Sequence, residues 1–159
     1  MYLIAYILVI FIFNKDLIET KSLNENNTQV DSIYFIQTQD NKNLEGTLKK
    51  IDTQFKRNSS ESQKWRFKKL NGDYYFIQNV GNKLCISNAP NHNTVRLEAC
   101  DNTELNNKWK IIGNNCFNSN NYCIIQSFDT NYNLVYKKNR VFISPNSDKK
   151  WRFIMIHLL

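Results

Sequence analysis

Gln63-Lys64-Trp65-Arg66-Phe67 (QKWRF) returns near the C-terminus as Lys149-Lys150-Trp151-Arg152-Phe153 (KKWRF), with a looser copy between them, Asn107-Lys108-Trp109-Lys110-Ile111 (NKWKI). All three tryptophans of the chain lie in these phrases, 44 and 42 residues apart. A second phrase keeps the same beat: IYFIQT from Ile33, YYFIQN from Tyr74 and YCIIQS from Tyr122. Each is an aromatic and β-branched run ending in Ile-Gln, which is strand material. A fixed period of this length is the mark of a repeat architecture. Three repeats, residues 32–71, 72–115 and 116–159, account for the chain from Ile33 to Ile156.

Within a repeat the apolar segments are short and polar turns separate them. In the second they read YYFIQN, KLCIS, TVRLEAC and KWKII, and Val95 and Leu97 alternate with Arg96 and Glu98 as in a half-buried strand. No long window carries a helical stripe. Four short strands in each of three repeats predict an all-β domain, and repeats that cannot bury their faces alone should close about a shared axis, which also removes edge strands. Lys and Arg of KWRF are expected outward and Trp and Phe inward, so that Trp65, Trp109 and Trp151 fill a core. Only four Gly and two Pro serve 159 residues. Asn, abundant here and tolerant of left-handed backbone, is expected to take over turns.

A tripled segment of roughly 40 residues ending in Gln-x-Trp resembles the ricin B-type β-trefoil lectins. The phrase is intact as Gln63-Lys64-Trp65 and altered to Asn107-Lys108-Trp109 and Lys149-Lys150-Trp151. GDYYFIQNVGNKLCIS of the second repeat is also similar to that family's G-x-Y-x-I-x-N-x-x-S-G-K-C-L-D. The resemblance implies a β-trefoil of three pseudo-symmetric four-stranded repeats over residues 32–159. It further implies a bridge from Cys85 to Cys100, whose loop of about 15 residues would contribute about 3 kcal/mol. Cys116 and Cys123 are left, flanking FNSNNY, and are expected to staple the hairpin joining the second and third repeats. Asn43 and Asn133 stand where the first and third repeats would carry the first cysteine.

The same resemblance implies a sugar pocket in each repeat: a carboxylate to grip vicinal hydroxyls, an aromatic face for the sugar C–H bonds, and an Asn beside the Gln of Gln-x-Trp. In the first repeat these map onto Glu45, Phe55, Ser62 and Gln63, with Glu45 one methylene longer than the family Asp; an exposed turn Glu is the competing reading. In the second, Ser87 replaces the acid, Asn106 and Asn107 keep amide chemistry, and Glu98 falls where the aromatic belongs. In the third, Val135 replaces the acid and Asp148-Lys149 the Asn-Gln pair. Lys137, Lys138, Arg140, Lys149, Lys150 and Arg152 there point to anions instead.

Formal charge is +7 and the isoelectric point about 9.2, a field that favours anionic partners. The cations are scattered as pairs, which reads as a generally basic surface ahead of a dedicated polyanion groove. Tyr2 to Phe13 is an apolar run of 12 residues, too short to span a bilayer and suited to a signal-peptide core. Residues 1–21 are accordingly read as a signal peptide of unfixed cleavage site, with an uncleaved anchor as the rival, and 22–31 as a polar linker. Secretion agrees with an even cysteine count. CxxC is absent and His92 and His157 are far apart, so no metal site or cofactor is implied. The sequons at Asn26 and Asn58 are weak signals in an Asn-rich chain. Asp73 and Asp129 read as turn residues, and no nucleophile constellation or phosphate loop supports catalysis. The expected partners are glycans or glycoproteins, and the alternative is a structural or adhesion trefoil binding protein or sulfated polysaccharide. Neither nucleic acid nor stable membrane insertion after leader removal is expected.

Overall fold

The computed structural model describes residues 32–156 apart from 49, 58, 59, 90–92 and 119. The segments expected as leader and linker, residues 1–31, lie outside the described residues, as do both histidines. The described residues contain twelve strands, four to a repeat. They are β1 (Ile33–Gln37), β2 (Asn43–Gly46), β3 (Ile51–Gln54) and β4 (Lys64–Lys69); β5 (Tyr74–Asn79), β6 (Cys85–Ala89), β7 (Thr94–Glu98) and β8 (Trp109–Ile112); and β9 (Tyr122–Ser127), β10 (Asn133–Lys137), β11 (Arg140–Ser144) and β12 (Trp151–Ile156). A 3-10 turn, Glu61–Gln63, precedes β4.

The antiparallel pairings close a ring. β1 pairs with β4 and β12, β4 with β5, β5 with β8, β8 with β9, and β9 with β12. The other six strands form three hairpins, β2–β3, β6–β7 and β10–β11. β11 in turn touches β3 at Arg140–Asp52 and β7 at Phe142–Thr94, so the hairpins gather over one end of the barrel. This is the β-trefoil, and the closed ring leaves its six barrel strands no free edge.

The core repeats in triplets. Trp65, Trp109 and Trp151 are wholly buried, as are Ile36, Ile77 and Ile125 of the Ile-Gln phrases and Leu44, Ile86 and Leu134 of the second strands, all at 0% exposure. Each indole N–H donates to a main-chain carbonyl of its own repeat: Trp65 to Leu44 at 3.0 Å, Trp109 to Ile86 at 2.8 Å and Trp151 to Leu134 at 2.8 Å. A buried indole needs such a partner, and here the same bond is made three times. Gly46 is part of this arrangement: a Cβ there would lie 2.7 Å from Trp65 Cη2. Phe67, Phe117 and Phe153 pack as a further aromatic cluster with centroids 4.8 to 5.3 Å apart.

The turns repeat as well. Asn41, Lys83 and Asn131 each hold positive φ, of 62°, 64° and 58°, in the three turns between first and second strands. Their N–H groups donate to Thr38, Asn79 and Ser127 carbonyls, each at 3.1 Å. Five of the seven positive-φ residues other than glycine are Asn, the role expected of it. Both expected disulfides form: Cys85–Cys100, which the resemblance implied, and Cys116–Cys123, the remaining pair. Gly113, at φ 144°, lies against the second, where a Cβ would approach Cys123 Sγ to 2.8 Å.

Candidate functional site

The dents that matter lie beside the three hairpins, outside the indole core. In the first repeat, β2 carries Glu45, and the connection from β3 to β4 carries Phe55, Arg57, Ser62 and Gln63. Gln63 is fully buried and fastens that connection: its Nε2 donates to Phe55 O at 2.9 Å, and its Oε1 accepts the Arg57 N–H at 2.9 Å and Asn43 Nδ2 at 3.3 Å. Gln63 therefore positions the site without facing a ligand. Asn43, in the place of the family cysteine, is bonded in turn to Gln37 Nε2 at 3.2 Å.

Glu45 is 4% exposed, and its Oε1 accepts both the Ser62 hydroxyl, at 2.8 Å, and the Arg57 guanidinium. Its Oε2 takes no hydrogen bond among the described residues. Glu45, Phe55 and Arg57 line one cavity of about 510 Å³, with Thr47, Lys50, Asp52 and Gln54. Phe55 is 77% exposed at this mouth, and Lys42 Nζ stands 5.7 Å from its ring centroid. Lys50 and Asp52 of this lining pair at 2.6 Å; that hydrogen bond and charge hold the Lys50 ammonium above its ordinary pKa. A fixed carboxylate with one oxygen free of protein hydrogen bonds, lining a cavity beside an uncovered ring, can hold a polyhydroxylated ligand. Glu45, Phe55, Ser62 and Gln63, expected from motif position, lie together here, and Arg57, which no motif position marks, joins them through Glu45.

The second repeat closes its dent with its own side chains. Ser87 is fully buried, with its hydroxyl on Asn88 O at 3.3 Å. Asn107 is 1% exposed and donates to Ala99 O at 3.3 Å, the counterpart of the Gln63–Phe55 bond. Asn106 contributes its carbonyl to the Asn88 N–H at 2.9 Å. Glu98, where a stacking ring was sought, pairs with Arg96 at 2.7 Å. Asn88 Nδ2 reaches Ser127 at 2.7 Å and Asp129 at 2.5 Å, so Asp129, read from sequence as a turn residue, also ties the second repeat to the third.

In the third repeat Val135 is 2% exposed and supplies no acceptor. A cavity of about 460 Å³ opens beside it, lined by Lys42, Lys137, Lys138 and Lys149 against one acid, Asp40. Tyr136 also lines it, and burial pushes its phenol above the ordinary pKa, so it stays neutral. The Asp40 carboxyl lies below its usual range, chiefly through its hydrogen bond with Thr38.

The barrel, the three hairpins and the outer dents of the first and third repeats define a trefoil of the lectin type. The family model for the ricin-type β-trefoil lectin domain-like proteins matches residues 61–141, and the chain belongs to that family. Among solved structures, the designed threefold-symmetric protein ThreeFoil superposes with a TM-score of 0.65 at 13% identity, covering 77% of this chain and 97% of that one. SeviL bound to asialo-GM1 saccharide gives 0.65 at 14%, covering 80% and 100%. The Polyporus squamosus lectin bound to a human-type influenza-binding epitope gives 0.61 at 18%, covering 77% and 48%. No curated protein matches by sequence.

Proposed function

We propose that the protein is a secreted carbohydrate-binding module, without catalytic activity of its own, that recognises glycans on a cell surface or matrix through the first-repeat dent. The observation that carries this reading is Glu45: Arg57 and Ser62 hold one carboxylate oxygen, the other takes no hydrogen bond among the described residues, and the exposed Phe55 ring lines the same cavity. A charged acceptor makes stronger hydrogen bonds to hydroxyls than a neutral one, and the ring covers sugar C–H bonds while leaving hydroxyls wet. Family membership supports the reading, as do the saccharides bound by SeviL and the Polyporus squamosus lectin. Two disulfides support secretion.

The test is a glycan array followed by titration of the best neutral ligand. Glu45→Gln should weaken binding at least tenfold, and Phe55→Ala by a similar factor, with thermal unfolding unchanged for Phe55→Ala. Absence of any glycan binding by the oxidised protein, or binding indifferent to both variants, would overturn it. A second reading, in which the basic surface binds polyanions, is favoured by the lysine-lined cavity of the third repeat.

A further inference from the structure

We infer that the groove over the β10–β11 hairpin is a second binding site, specific for a sulfated saccharide, with one sulfate in the third-repeat dent and a neighbouring one across the hairpin tip. It rests on the second of the two readings above, whose cavity it shares, and names the ligand class; it uses none of the residues of the first-repeat dent.

The hairpin tip is a two-residue turn, Lys138-Asn139, with φ of 48° and 68°. Positive φ at both central residues is the mirror-image turn that suits a twisted hairpin and usually carries Asn-Gly. Lysine in that region costs about 1–2 kcal/mol relative to its ordinary backbone. A strained residue held in place by its surroundings is a sign worth following to function. The surroundings here are definite: Asn139 O accepts the Thr53 N–H at 2.9 Å, and Asn139 Oδ1 accepts Lys42 Nζ at 2.8 Å. The tip is thus pinned to the first repeat, and its cations are presented on a fixed frame.

Those cations are uncompensated. The 460 Å³ dent sets four lysines against Asp40, and Asp40 is taken by Lys42 at 3.5 Å. The adjoining groove of about 700 Å³ is lined by Lys137, Lys138 and Arg140 with Asn93, Thr94, Val141 and Phe142, and contains no acid. The two hollows share Lys137, Lys138 and Phe142, so an extended ligand can lie across both. Among the described residues none of Lys137, Lys138, Arg140 and Lys149 forms an ion pair. The acid nearest in register, Asp52 opposite Arg140, pairs through Oδ2 with Lys50 at 2.6 Å and accepts Gln54 Nε2 there at 3.2 Å.

The replacement that removes a neutral-sugar grip admits an anion. Val135 stands where a carboxylate would repel sulfate. Ser144, Asn146 and Ser147 line the same dent and offer neutral partners for ring hydroxyls. The loop they lie on is fixed by Asn133 Nδ2 on Ser147 O at 3.1 Å and by the Lys149 N–H on Ser147 Oγ at 3.1 Å. Lysines act as point charges toward sulfate and phosphate alike. Concavity and hydroxyl partners favour a saccharide carrier over a bilayer or a nucleic-acid duplex, both of which present broad charged faces.

The test compares sulfated heparin-derived oligosaccharide, its desulfated form, phosphatidylserine vesicles and double-stranded DNA as probes of the oxidised full chain. The variant is Lys137→Gln/Lys138→Asn/Arg140→Gln, in which Asn suits the turn. The control, Lys68→Gln/Lys69→Gln/Lys110→Gln, removes the same charge from exposed sites elsewhere. Expected are at least a tenfold loss of sulfated-oligosaccharide affinity in the hairpin variant, a loss below about twofold in the control, and no measurable binding of the desulfated form. The log-affinity against log-salt slope should flatten only in the hairpin variant. Equal losses in both variants, equal binding of desulfated probe, or tip-dependent binding of vesicles or DNA as tight as that of the oligosaccharide would overturn the assignment. Glu45→Gln should leave sulfated-ligand affinity within twofold, so failure of the first-repeat dent and failure of this site are separable.

Discussion

Trp151→Ala should cost about 3–5 kcal/mol of folding stability, a large share of the 5–15 kcal/mol that a domain of this kind commands. The indole is at 0% exposure, and its loss leaves both a cavity and the Leu134 carbonyl without its donor. Trp65→Ala and Trp109→Ala should fall in the same range, because their burial and their bonds to Leu44 and Ile86 are the same in kind. Urea unfolding of the oxidised protein at 25 °C measures all three. A variant losing less than about 1 kcal/mol would place its indole outside the shared core.

Removal of the long disulfide is the next largest effect. Cys85→Ala/Cys100→Ala opens a loop with a sequence separation of 15, which the chain-entropy relation sets at about 3 kcal/mol. Cys116→Ala/Cys123→Ala opens a separation of 7, for which the same relation gives about 2 kcal/mol. Urea midpoints should therefore fall for both pairs, and further for the first. No fall in either would show that the bridges restrain nothing in the unfolded chain.

The fold was legible because its core is a threefold pattern written in large residues. Trp, Ile and Leu at matching places in each repeat leave a signal that drift in the turns does not erase. Ring closure was an inference from symmetry; the registers that complete it, such as Ile33 opposite Ile156, join strands too far apart for any local pattern to announce. The site was legible in part. Glu45, Phe55, Ser62 and Gln63 were placed by motif position, yet their division of labour was not: Gln63 is buried among main-chain partners, and Arg57 takes one oxygen of Glu45. The sequence points Lys137, Lys138 and Arg140 to anions, within a surface that reads as generally basic. Only the turn that pins them to Thr53 and Lys42 turns that charge into a groove.

The three indoles share one buried core, and ligands should meet only the dents outside it. Amide and indole N–H resonances of the 15N-labelled protein, followed during titration with a neutral glycan and then with sulfated oligosaccharide, test this directly. The predicted result is shifts at Glu45, Phe55 and Arg57 with the first ligand and at Lys137, Lys138 and Arg140 with the second, while the three indole N–H signals stay still and exchange slowly with D2O. Indole signals that move with ligand, or that exchange at once, would contradict it.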